Sequence, residues 1–213
     1  MEEKTEFSFD ELSDDAKRDA IDKARYDEVS DNDWADLSYD DFIAVGAILG
    51  ISISMRQVRT MANTTIDHPA IYWSGFCSQG DGASFEGEYM YAPEASEKIR
   101  EHAPQDEELH RLADELTALQ VQCKLEHAQT ILASIKCGHH RIYPLTLDCS
   151  LSDDTYFANV APEEGALKEL MESFAAWIYK QLEGQHDYLT SDECVAERLS
   201  ESDLKFDEDG CMI

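Results

Sequence analysis

Forty-six carboxylate side chains against 17 lysines and arginines, a formal charge of −29, set the first condition on any fold this chain adopts. An ionised carboxylate taken out of water without a partner costs several kcal/mol, so almost all of them must lie on surfaces. Behind those surfaces a core still has to form, and the material for one is present. Hydrophobic residues make up 43% of the chain and 3 Trp, 9 Tyr and 8 Phe supply aromatic bulk, which separates it from acidic sequences that stay disordered. A length of 213 residues allows one sizeable hydrophobic core.

The charge is unevenly spread. Residues 1–50 carry 16 acids and 5 bases, and no Lys or Arg occurs between Arg25 and Arg56. Within that gap stand Asp27, Glu28, Asp31, Asp33, Asp36, Asp40 and Asp41, the expected partner-binding residues. Asp33, Asp36 and Asp40 recur at three- and four-residue spacing, which places them on one helix face. Residues 51–103 are nearly balanced, with 7 acids and 4 bases, whereas 184–213 are again acidic, with Arg198 and Lys205 as their bases. A surface of this sign repels DNA, RNA and anionic membranes and attracts basic surfaces over a Debye length of about 8–10 Å.

No stretch approaches the roughly 18 apolar residues of a bilayer span. Met1-Glu2-Glu3-Lys4 lacks the basic and apolar regions of a secretory signal, so a cytoplasmic location is expected. Cys77, Cys123, Cys137, Cys149, Cys194 and Cys211 lie at wide, irregular spacings without a C-x-x-C pair and read as reduced thiols.

The chain reads as one α+β domain over 1–213, an antiparallel sheet flanked by several helices. Ser13 caps a helix to about Tyr26 with Ala16, Ala20, Ala24 and Ile21 on its apolar face. A second helix, 33–49, uses Trp34, Leu37, Phe42, Val45 and Leu49, and Gly50 ends it. Ile51, Ile53 and Met55 alternate as a strand. Residues 70–91 read as a hairpin, 70–77 against 83–91, and 130–137 with 141–149 as a second one, with a further strand at 155–160. A short helix follows Pro93. The spacing predicts longer helices over 105–127 and 162–183, the second with the stripe Leu167, Leu170, Met171, Phe174, Trp177, Ile178 and Leu182. Ser191 caps a last helix carrying Val195 and Leu199.

The most information-rich segment is the glycine motif formed by Ser74, Gly75, Phe76, Gln79, Gly80, Asp81, Gly82 and Phe85. It reads as a structural turn whose glycines supply φ > 0. A phosphate-cradling loop fits poorly: no G-K-[ST] follows, no helix opens after it, and the field is acidic. Cys137, His139, His140 and Cys149 hold zinc-binding atoms, but C-x-H-H-x₈-C is not a common zinc spacing. G-x-S-x-G is absent around Ser74. The sequence therefore predicts no catalytic residue, no metal and no cofactor.

The pattern S-G-F-x-S-Q-G-D-G-A-x-F at 74–85 resembles the hallmark of a poorly characterised family common in phages, prophages and plasmids. Some of its members are labelled antitoxin of a toxin–antitoxin stability system. Phe9 to Lys17, the Asp33-Trp34 pair, Leu49-Gly50-Ile51 and Phe206 to Gly210 are also similar to that family, while Cys77 stands where an aromatic residue is expected. The resemblance implies an accessory gene of a mobile element, acting in a bacterial host cell. It carries over no catalytic residue.

Together, ancestry and acidity point to an inhibitor of a host defence system, for example an anti-CRISPR protein. It would bind a basic, nucleic-acid-binding host component, partly as a DNA mimic, without touching nucleic acid or membrane itself. A compact chain of this length is roughly 45 Å across. Duplex DNA of that length carries about 26 phosphates, close to the protein's own charge. An antitoxin neutralising a basic toxin, and an enzyme with a pocket near the glycine motif, are the alternatives.

Overall fold

The computed structural model describes residues 6–59, 63–127, 130–137, 145–151 and 161–213. Its helices are α1 (Asp14–Ala24), α2 (Asp36–Leu49), α3 (Ala95–His102), α4 (Glu107–His127), α5 (Ala161–Leu189) and α6 (Asp192–Glu201). Its strands are β1 (Ile51–Ile53), β2 (Met55–Arg59), β3 (Thr65–Pro69), β4 (Ile71–Trp73), β5 (Ala83–Phe85), β6 (Gly87–Met90), β7 (Ile131–Lys136) and β8 (Thr146–Leu151). The fold is α+β, as the patterning predicts. It divides into two compact units, one made of Met1–Leu37 with Leu182–Ile213, the other of Ser38–Gln181.

The smaller unit is built from both ends of the chain. Ser13 accepts a bond from the Ala16 N–H at 3.3 Å and opens α1. The buried Ala16, Ala20 and Ala24 give α1 a flat face, against which Phe9, Leu12, Val195, Leu199 and Phe206 form one core. Small side chains on that face let backbone approach closely. Phe7 and Phe206 pair as an antiparallel bridge, with reciprocal N–H to carbonyl bonds of 2.9 Å, and Phe206 bridges in turn to Met212. The Ser191 hydroxyl caps α6 by accepting from the Cys194 N–H.

In the larger unit a four-stranded antiparallel sheet runs in the order β1-β6-β7-β8, and β2-β3 and β4-β5 form two-stranded pieces. Three extended stretches, 51–59, 65–73 and 83–90, each change partner at a single residue. Ser54 donates its N–H to the Glu86 carbonyl (2.8 Å), Ala70 to Ser54 (2.8 Å) and Glu86 to Ala70 (2.9 Å), closing a three-way ring of backbone bonds. This corrects the hairpin expected over 70–91. Only β4 and β5 pair within it (Ile71↔Phe85, Trp73↔Ala83), and beyond Glu86 the chain pairs with β1 and β7 instead. Past Ser54 the strand likewise leaves the main sheet, so Ile51 and Ile53 are buried but Met55 is 53% exposed.

Phe42, Phe85, Phe174 and Trp177 form the aromatic centre of this unit. Phe174 stacks on Trp177 (5.8 Å, 8°), and Phe42 and Phe85 meet them edge-on. The Trp177 indole donates to Asp106 (2.7 Å), whose other oxygen caps the first turn of α4 through the Leu109 N–H. The whole predicted α5 stripe is buried, and α5 runs on to Leu189. Leu37 departs from expectation: it is 83% exposed, and Tyr39 is buried instead. Residues 33–35 form a 3₁₀ turn, whose three-residue period shifts the count that runs from Trp34. The hairpin of β7 and β8 is present with β8 beginning at Thr146, while its expected turn and the strand expected at 155–160 lie outside the described residues.

Candidate functional site

The smaller unit holds 24 of the 46 acids and 7 of the 17 bases in about a third of the chain. Its net charge is −17, against −12 for a larger unit twice its length. The two acidic ends of the sequence, separated by a less charged middle, thus converge in one body.

Five of the seven bases of this unit make contacts within it. Arg25 donates to the Thr190 carbonyl (2.8 Å) and pairs with Asp22 and Asp192 (2.7 Å each). Those two carboxylates hold its guanidinium more firmly protonated than usual. Arg198 reciprocates: it donates to the Ala24 carbonyl (2.8 Å) at the end of α1 and lies 3.6 Å from Glu28. Each arginine therefore donates to a carbonyl at the end of another helix, where the dipole favours a cation. Lys23 contacts the Asp209 carbonyl and the Cys211 thiol (3.0 Å), Arg18 pairs with Asp15, and Lys17 lies over the Phe9 ring.

All seven expected partner-binding acids are exposed, but their roles differ. Asp27, Glu28, Asp31, Asp33 and Asp36 belong to the smaller unit and Asp40 and Asp41 to the larger. Glu28 faces Arg198. Asp31 accepts the Asp33 N–H at 3.1 Å and shapes the turn before α2. Asp41 bonds His102 at 3.1 Å. The arginine contacts were invisible in sequence because each spans more than 160 residues.

The glycine motif forms a loop organised by Asp81. One carboxylate oxygen accepts from the Ser74 hydroxyl (3.0 Å), the other from the N–H groups of Cys77 (3.0 Å) and Ser78 (2.6 Å). These bonds, the Ser78 N–H first, hold its pKa below the ordinary carboxylate value. Phe76 stacks on Trp73 (5.4 Å, 19°) and meets Tyr179, whose hydroxyl donates to the Gly75 carbonyl. Phe85 is fully buried, while Gln79 is exposed at the loop tip. The segment does form a turn, with one correction to the glycines expected to supply φ > 0. Of its glycines only Gly80 has positive φ (+110°); Gly82 is buried and gives its N–H to Ser74 Oγ.

Among the described residues no three His, Cys, Asp or Glu side chains gather as a metal site. Cys137 contacts the Ser84 hydroxyl, and burial pushes the Cys149 thiol up to about 12, far from a reactive thiolate. His139 and His140 lie outside the described residues. None of the six cysteines is in a disulfide. Among the described residues no helix is long and apolar enough to cross a membrane.

Residues 34–192 match the family model described as Domain of unknown function (DUF8835). The chain belongs to this family. The DUF8835 match takes in the whole larger unit, including the glycine loop, and leaves residues 1–33 and 193–213 outside it. Most of the acidic unit thus lies outside the matched residues. No curated protein and no solved structure matches the chain.

Proposed function

We propose that the protein is an accessory protein of a phage or other mobile element that inhibits a host defence system, for example as an anti-CRISPR protein. It acts by binding a basic, nucleic-acid-binding surface of a host component. The observation that supports this most is the convergence of both acidic ends into one unit whose arginines Arg25 and Arg198 are turned to internal contacts. A net −17 on so small a body repels itself, a cost that binding to a cationic surface would relieve. Carboxylates spread over such a surface offer a basic groove what a phosphate backbone offers, without base edges or a reactive phosphodiester.

The test is capture from a bacterial lysate on the immobilised protein, with elution by duplex DNA. A DNA mimic releases its partner when DNA competes for the same surface, and the released protein binds DNA or RNA when purified. The triple variant D27N/D31N/D33N retains shape and loses charge, so it should retain less of that partner. A captured protein that DNA does not displace, and that the triple variant holds equally well, would refute the proposal. Release of a small basic toxin, indifferent to DNA, would identify an antitoxin instead.

A further inference from the structure

The outer face of the four-stranded sheet carries a second surface, independent of the acidic unit. Strand register sets Ser52 opposite Glu88, Glu88 opposite Ser134 and Ser134 opposite Asp148, one continuous row across all four strands. Alternation puts this row outward, because Ile51, Ile53, Tyr89, Ala133, Ile135 and Leu147 on the same strands are buried. Two strand spacings separate the carboxylates of the row, roughly 10 Å. Beside it Met90, 65% exposed, pairs with Leu132 and makes an apolar strip.

These residues form the floor of a groove of about 950 Å³, to which α2 adds Ile43 and Ala47. That volume is in the range of ligand-binding clefts. Among the described residues no Lys or Arg lines it; Lys124 lies over the ring of the lining Tyr91 at 4.9 Å. An exposed methionine on an apolar strip adapts to varied side chains. Two carboxylates fixed by strand register reject an anionic occupant and favour a cationic one.

We propose that this groove docks a basic, amphipathic peptide segment of a protein partner, with aliphatic side chains over Met90 and Leu132 and lysine or arginine beside Glu88 and Asp148. The groove lies wholly within the DUF8835 match, so this site, unlike most of the acidic unit, belongs to the part of the chain that the family model describes.

The test uses protein labelled with ¹³C at the methionine methyls and the probe peptide acetyl-Lys-Leu-Lys-Leu-Lys-amide. Met90 reports on the groove and Met212 on the acidic unit, so the two surfaces are read in one titration. The expected result is a saturable shift of Met90, absent with the Glu-Leu counterpart of the peptide. E88Q/D148N should weaken it about fivefold, as expected for two exposed ion pairs. S134K, at a half-exposed strand position between the carboxylates, should abolish it while the Met171 core signal stays unchanged. A shift at Met212 alone, which would place the peptide on the acidic unit, equal shifts with both peptides, or undiminished binding by S134K would overturn the proposal.

Discussion

At the scale of single residues, two glycines separate backbone strain from close packing. Gly80 adopts φ +110° at an open loop tip, where an added Cβ would meet nothing within 4 Å. Gly210 adopts φ +72° and lies so close to α1 that a Cβ would collide with the Ala16 carbonyl oxygen. G80A should therefore cost about 1 kcal/mol, from conformation alone. G210A should cost about 3 kcal/mol or more, because strain and overlap act together. Urea unfolding of the two variants checks the order. Asp81 offers a pH reading. Its folded-state pKa is lowered, so its hold on the loop is complete above the unfolded value of about 3.9 and is lost only as pH falls through the lower folded value. The Ser78 amide proton should titrate with a midpoint below 3.9, and D81A should abolish both that titration and the slowed exchange of the Cys77 and Ser78 amides. A midpoint at the ordinary value would show that the carboxylate is not held.

At the scale of elements, what was legible in the sequence was whatever is decided locally. The caps Ser13 and Ser191, the alanine face of α1 and the stripe of α5 follow from residues a few positions apart, and the structure has them all. The partner changes at Ser54, Ala70 and Glu86 were not legible. Ala70 and Glu86 are not turn-forming residues and Ser54 stands in an alternating strand pattern, and the backbone bonds that bend the strands there join segments far apart in the chain. The inward face of α2 was misread at one position because a 3₁₀ turn precedes it. That misreading makes a sharp prediction. L37S should change stability by no more than about 0.5 kcal/mol, as a substitution at an exposed site does. F42A, one residue over a helical turn further on and 1% exposed, should cost about 3–5 kcal/mol. Equal losses for the two variants would mean that Leu37 is an inward residue after all.

At the scale of the whole molecule, the acidic ends were plain in the sequence and their union was not. Charge counts along the chain show two acidic segments flanking a milder centre; only the folded chain brings them into one unit and turns Arg25 and Arg198 to its helix ends. The seven acids singled out by sequence are all exposed, yet Glu28, Asp31 and Asp41 also serve internal contacts. Charge removal confined to Asp27, Asp31 and Asp33 stays within the smaller unit, and at Asp31 asparagine retains the side-chain oxygen that accepts the Asp33 N–H. Exposed carboxylates add little to stability, so the triple variant should fold like the wild type. Long-range attraction acts on encounter before any contact forms, so its loss should appear in the association rate, with dissociation less affected. The most direct measurement is therefore the association rate of wild type and D27N/D31N/D33N with a captured partner, from low salt to about 300 mM. Recognition by charge predicts slower association for the variant at low salt and a steeper fall with salt for the wild type. Equal rates and equal salt slopes would contradict it.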